Sequence, residues 1–387
     1  MTINLKNFLN DKRKLSKMGE FQELKTIDGL QVSSVSADLY GNGRDDLSLF
    51  YFKDGANYAL LQTSSTILSE SINWNQGSNK KFIKALIINT KNANTFTGEQ
   101  GIESLDEIAK NLSKTLTLRE SQSEEGVDEA VKIKDILFAS TGVIGEKFPV
   151  DKINSTIQEL VEKLRPDHNK LIWTKTASAI MTTDTKPKLA YEEFTVGNKI
   201  IRIAGIAKGS GMIAPNLATM LAFIFTDVDI PSNILKTLLK RVVQNSFNAI
   251  TVDNDQSTND MVGIFSTRKV KIGQNRNITD PIIQKFESAL KNLTLNLAKQ
   301  IVVDGEGAKK FVTVNVINAK SLGSAKNIAF SICVSKYSLY PSLSVVLPET
   351  PLSTITLYSL CPLAFTQPCI IPCCSSVEVC LAVDTRK

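Results

Sequence analysis

Histidine is almost missing from this chain of 387 residues: the only one is His168. It stands in the polar stretch RPDHN, which reads as a turn after a helix. One histidine argues against a Ser-His-Asp machine and against any multi-histidine metal site, so a nucleophile here must find another base. Uninterrupted apolar runs of membrane-spanning length are lacking too, and the first 21 residues are polar with no apolar core of the signal-peptide kind. The expectation is a cytoplasmic protein without a membrane partner. The net charge is +6, but Lys and Arg are interspersed with Asp and Glu, and no basic stripe alternates with aromatics. Nucleic acid is therefore not an expected partner, while small anionic substrates suit the sign of the charge. The length allows a substantial core, in two domains or one composite one.

What is present centres on residues 208–221, KGSGMIAPNLATML. Apolar, strand-like runs at 194–207 and 221–228 flank it, so two glycines, a proline and an asparagine mark a sharp turn between strands. Lys208 adds a fixed charge, and Thr219 stands where apolar sequence resumes. A strand at 82–88 feeds the loop NTKNANTFTG (89–98), whose asparagines suit hydrogen bonding to their own backbone. A second strand, 135–140, ends in STGVIG (140–145), where a glycine lets the backbone approach another group closely. AIMTTDTKPK covers 179–188, VDNDQSTND covers 252–260, and DGEGAKK covers 304–310. Asp253, Asp255 and Asp260 lack the glycine and glutamate of a calcium loop and read as a polar loop. Asp45 and Asp46 read as a solvated loop.

Three helices follow from apolar periodicity. Ile153, Ile157, Leu160, Val161 and Leu164 share one face after Pro149; Ile234, Leu235, Leu238, Leu239, Val242 and Val243 share another; Ile282, Phe286, Leu290, Leu293 and Leu297 follow Asp280-Pro281. A further helix is expected to open at Ser104, with Asp106 and Glu107 in its first turn.

Together these segments resemble the ornithine acetyltransferase family, the glutamate N-acetyltransferases of arginine biosynthesis. The resemblance runs over about residues 22–331. It implies an α/β, layered mixed-sheet fold of the ornithine acetyltransferase and self-processing aminopeptidase type. It also implies self-cleavage between Ala218 and Thr219, with the freed Thr219 as nucleophile and its own α-amine, of unperturbed pKa near 8, as base. Residues 1–218 would then be an α chain and 219–331 a β chain, assembled as a heterotetramer of two of each. Thr141 and the Gly142 N–H would form the oxyanion hole; Thr182, Lys208, Thr219 and Glu306 would bind substrate. The implied reaction moves an acetyl group from N2-acetylornithine to glutamate through an acetyl-threonyl enzyme, without metal or bound cofactor; some members also take acetyl-CoA.

The chain departs from the family pattern in places. LLQTSS replaces a GVFTTN-like run at 60–65, Lys91 replaces a glycine, and Lys309 stands where a threonine is expected. From residue 332 the composition shifts: all six cysteines and six of twelve prolines lie in 332–387, with no glycine or asparagine. No helix or alternating strand pattern of useful length is expected there, the cysteine spacing matches no zinc signature, and the family's NWGR-like segment is missing. A frameshifted or joined tail is the reading, which leaves two alternatives open: a self-processed threonine amidase or aminopeptidase, and an inactive remnant.

Overall fold

The computed structural model describes residues 23–77, 82–122, 130–213, 220–253, 255–273, 276–308, 310–334, 352–358 and 375–383. Its larger sheet has eight strands. The first four are β1 (Gln31–Val35), β2 (Leu47–Gln62), β3 (Ile83–Asn89) and β4 (Ile136–Ser140). They are joined by β5 (Lys188–Val196), β6 (Lys199–Lys208), β7 (Leu221–Val228) and β9 (Met261–Val270). The order is β4-β3-β2-β9-β7-β6-β5, with β1 on β2; β3–β4 and β7–β9 are parallel and the other pairs antiparallel.

Strand β2 joins the halves. Residues Leu47 to Tyr51 pair with β1 and β3, and Asn57 to Gln62 pair with β9. The register shifts between Tyr51 and Ala56, where Gly55 takes φ +72°. Such an irregularity bends a strand and lets one sheet fold toward itself.

Side-chain alternation then builds the layers. On β7, Leu221, Phe223 and Phe225 point to one core, while Ala222, Ile224 and Val228 point to another. On β2, Phe50 and Phe52 join the first of these, and Leu47, Leu49 and Tyr51 point away from it. The shared middle core holds Phe50 stacked on Phe225 at 4.5 Å and Phe225 on Phe265 at 5.5 Å. Outside one half-sheet pack α2 (Gly98–Ser121) and α3 (Val150–Glu162); outside the other pack α5 (Ser232–Gln244) and α6 (Pro281–Val303). The short helices α1 (Glu70–Gly77) and α4 (Lys170–Ala179) sit at the margins of the middle core through Ile72 and Trp173. This helix–sheet–sheet–helix stack is the layered α/β fold expected from the sequence. Among the described residues no helix is long and apolar enough to cross a membrane.

Several expectations need correcting. The run at 194–207 is a hairpin, since β5 and β6 turn at Gly197 (φ +59°), a position that favours glycine. Helix α2 starts at Gly98 rather than at Ser104; Ser104 is buried inside it, with its hydroxyl donating to the Gln100 carbonyl at 2.7 Å. Asp46 is not solvated: it is fully buried and accepts the Ala37 and Leu39 N–H groups at 2.7 Å each. His168 is buried as well, accepting the Ile27 N–H at 2.9 Å and lying edge-on to Trp173.

The tail is also not free of strands. β11 (Leu352–Tyr358) runs parallel to β10 (Lys310–Ala319), and β12 (Ser375–Val383) runs antiparallel to it, forming a four-stranded sheet in the order β11-β10-β12-β8 with β8 at Ile250–Thr251. The alternation of Val377, Val379, Leu381 and Val383 carries that signal; the prolines on either side obscured it. Helix α7 (Leu322–Val334) runs across residue 332.

Candidate active site

Strand ends converge here. Thr141 and Gly142 follow β4, Lys208 ends β6, Met220 precedes β7, and Asn259 and Asp260 lead into β9. Thr141, Lys208, Met220, Leu221, Ser257, Asn259 and Asp260 line one small pocket. Parallel pairing sets Asn89 beside Ser140 at the ends of β3 and β4 and Leu221 beside Met261 at the starts of β7 and β9, and antiparallel pairing sets Lys208 beside Leu221.

The asparagine loop holds the Thr-Gly turn in shape. Thr141 N–H donates to Asn89 O at 3.1 Å and Val143 N–H to Lys91 O at 2.9 Å. The Ser140 hydroxyl donates to Asn89 Oδ1 at 2.7 Å, and Asn259 Nδ2 donates to Ala93 O and Ser140 O. Gly142 has φ +136°, and a Cβ there would meet the Lys91 carbonyl carbon at 2.1 Å, so only glycine fits. Among the described residues no acceptor takes the Gly142 N–H, and the residue is exposed.

Lys208 is buried, and its Nζ donates to Thr141 Oγ1 at 3.0 Å. An ammonium donating to that oxygen leaves the threonine's own proton to point elsewhere, toward an incoming acceptor. Burial pulls the Lys208 pKa down, opposed mainly by the nearby charge of Asp184.

A second lysine sits one strand away. Lys188 Nζ lies 2.6 Å from Asp184 Oδ1 and 2.6 Å from Asp304 Oδ2, all three side chains being nearly or fully buried. Asp184 also takes the Gly209 N–H at 2.7 Å, and Asp304 takes the N–H of Thr185 and of Lys186 and the Thr185 hydroxyl. No local sequence pattern marks this triad, since Asp304 lies 116 residues from Lys188.

Of the residues expected to bind substrate, Thr182 is half-buried and donates its N–H to Asp184 Oδ2 at 3.2 Å. Glu306 is exposed; its N–H donates to Ser210 O at 2.7 Å, and its carboxyl lies 2.8 Å from the place a Cβ on Gly211 would take. The structure thus brings Thr141, Gly142, Lys208, Thr182 and Glu306 into one connected corner. Ala218 and Thr219 lie outside the described residues, as does Lys309.

The loop read only as polar has defined partners. Asp253 accepts the N–H groups of Met212 at 2.5 Å and Ile213 at 2.8 Å, and Asp260 Oδ1 accepts the Met220 N–H at 2.7 Å. One loop therefore grips the chain immediately before and immediately after residues 214–219. Asp260 Oδ2 is buried without a hydrogen-bond partner among the described residues.

The sequence model of the ArgJ family matches residues 31–338. An arginine biosynthesis bifunctional protein ArgJ from Gluconobacter oxydans is 38% identical over 314 residues, covering 81% of this chain and 70% of that protein. A protein of the same name from Bartonella quintana is 38% identical over 318 residues, covering 81% and 73%. Among solved structures, ArgJ from Bacillus halodurans is 25% identical with a TM-score of 0.42, covering 50% of this chain and 97% of that one. Ornithine acetyltransferase from Mycobacterium tuberculosis, solved with ornithine, is 24% identical with a TM-score of 0.42, covering 51% and 99%. The assignment rests on the sequence matches, which span four fifths of the chain and more than two thirds of each relative. This chain belongs to the ArgJ family.

Proposed function

We propose that the protein is a glutamate N-acetyltransferase of arginine biosynthesis, acting by ping-pong acyl transfer after cleaving itself between Ala218 and Thr219. The observation that carries this reading is the Lys208–Thr141 hydrogen bond in a pocket that also holds Met220, the residue after Thr219.

Thr219 Oγ attacks the acetyl carbonyl of N2-acetylornithine, and its α-amine takes the hydroxyl proton. The carbonyl oxygen becomes negative as the carbon turns tetrahedral; the Thr141 hydroxyl and Gly142 N–H donate to it. Collapse passes the proton to the departing amine and releases ornithine. The amine of glutamate then attacks the acetyl-threonyl ester and leaves as N-acetylglutamate. Lys208 acts through Thr141, fixing which way its hydroxyl donates, and Thr182 and Glu306 would contact the substrate. No metal or bound cofactor enters these steps; acetyl-CoA would serve only as an alternative acetyl donor. The processed chains would assemble as a cytoplasmic heterotetramer of 1–218 and 219–387 pieces, with 332–387 as an atypical extension.

The test is intact mass plus transfer. Purified protein should appear as pieces 1–218 and 219–387, and N2-acetylornithine with glutamate should yield ornithine and N-acetylglutamate in equal amounts. Acetate release that is indifferent to glutamate would instead mark a hydrolase.

A further inference from the structure

Self-cleavage poses a problem that acetyl transfer does not. In the mature enzyme the α-amine of Thr219 can take a proton, but before cleavage that nitrogen is an amide and has no basicity. The chain's only histidine is buried against Trp173, on another part of the fold. The first proton must therefore go to a different group, and the pocket offers few.

Asp184 is occupied by Lys188, Gly209 and Thr182. Asp253 has both oxygens on backbone N–H groups, and Glu306 is exposed to solvent. Lys208 is committed as a donor to Thr141. Asp260 differs from all of these. Its Oδ1 holds the N–H of Met220, the residue that follows Thr219 in the chain. Its Oδ2 is buried and is the one carboxylate oxygen of the described residues left in the interior without a partner. A buried acceptor is costly to leave empty unless something else uses it.

We propose that Asp260 is the proton acceptor for self-cleavage, a proposal that rests on the threonine-nucleophile reading above. Asp260 takes the Thr219 hydroxyl proton as Oγ bonds to the Ala218 carbonyl carbon. The carbon–nitrogen bond then breaks, and the proton returns from Asp260 to the departing nitrogen, which becomes the α-amine. Water hydrolyses the resulting Ala218–Thr219 ester, leaving a carboxylate at Ala218 and a free hydroxyl at Thr219.

The surroundings suit the role. Burial raises the Asp260 pKa well above the ordinary carboxylate value, against the pull of the Met220 N–H, Lys208 and the Ser257 N–H, so its carboxylate is a stronger base than an exposed one. Lys208 on β6 is the cation facing it; Asp184 and Glu306 face Lys208 in turn.

The experiment compares the full-length chain with Asp260→Asn, Asp260→Ala and Asp260→Glu, using Thr219→Ala as the folded, uncleavable reference. Cleavage is followed by intact mass, and folding by melting temperature. Asp260→Asn should lengthen the cleavage half-life by ~10²-fold or more while melting at or above the reference temperature. Sodium formate should restore cleavage to Asp260→Ala, and Asp260→Glu should cleave without formate. An Asp260→Asn chain that splits as fast as the parent overturns the proposal. So does a folded Asp260→Ala chain that formate cannot rescue, if Asp260→Glu is equally inert, since the carboxylate would then act only as a brace. If the parent chain itself never splits at this bond, the threonine reading fails and the proposal falls with it.

Discussion

Two lysines are buried on neighbouring strands and are held in opposite ways. Lys188 sits between Asp184 and Asp304 at 2.6 Å each, and the carboxylates are themselves capped by backbone N–H groups. Lys208 has no carboxylate within ion-pair distance among the described residues; it spends a hydrogen bond on Thr141, and the carboxylate that lines the same pocket, Asp260, keeps an oxygen empty. The first arrangement is closed and ties three distant segments together: the loop before β5, the turn after β6 and the end of α6. The second is open, with polar groups aimed into a pocket. A closed buried network supports a fold, whereas an open one has capacity left for chemistry.

The largest effect should come from opening the closed network. Lys188→Met leaves Asp184 and Asp304 buried together without their cation, and removing one partner of a buried ion pair costs about 3–5 kcal/mol. Denaturant unfolding should show that loss, measured against the uncleaved Thr219→Ala background so that processing does not confuse it. A loss under 1 kcal/mol would mean that the triad is not what holds this corner.

The same change at the open lysine should act on the reaction. Lys208→Met removes one hydrogen bond and a buried charge with no ion-pair partner among the described residues, so stability should move by only about 1 kcal/mol. The Thr141 hydroxyl loses its orientation, and kcat for acetyl transfer should fall ~10²-fold, as when an oxyanion donor is lost. Thr141→Ala should give a similar kcat loss. A change confined to KM in both variants would assign the pair to substrate binding instead.

Acid should unlock the closed side. Burial alone would raise the Asp184 pKa, but the charges of Lys188 and Lys208 and the bonds from Lys188 and the Gly209 N–H bring it down to about 2. Its folded value thus lies below its unfolded one. The stability it contributes is present above about pH 4 and is lost as the pH falls toward 2, amounting to ~2 kcal/mol. In Asp184→Asn that part of the acid limb should disappear from a pH series of unfolding free energies.

How much of this was legible beforehand depends on the range of the signal. Helices α3, α5 and α6 show a 3.6-residue apolar period, and the structure buries Ile153, Leu238, Phe286 and their partners as that period requires. The start of α2 is hidden in the sequence because its N-cap, Thr97, makes no side-chain cap bond, while Ser104 with two acids behind it imitates a cap. The turn glycines near the site, Gly142 above all, were readable because a single residue type carries the constraint. The triad was not: Asp184 and Lys188 are four residues apart, but Asp304 lies 116 residues beyond Lys188. Asp260 reads only as part of a polar loop, since nothing in QSTND shows which carboxylate oxygen the fold leaves empty. His168 and Asp46 failed for a related reason, as polar local sequence hid the burial that tertiary packing imposes on them.

The smallest effect separates the two networks most cleanly, because its sign is opposite. Asp260 has its pKa raised by burial, so ionising it costs folding energy rather than supplying it. With the folded value above the unfolded one, the folded state binds the extra proton, and stability falls as the pH rises from about 4 through that value. Asp260→Asn keeps an oxygen for the Met220 N–H and removes the buried charge. The variant should therefore be more stable than its parent at pH 7. The difference should vanish near pH 3.5, where the parent's carboxyl is already neutral. Both chains would be unfolded in the Thr219→Ala background, so that neither is cleaved. A destabilised Asp260→Asn at pH 7 would show that the charge is paired in solution after all, and the open network would then be a closed one with its partner still to be found.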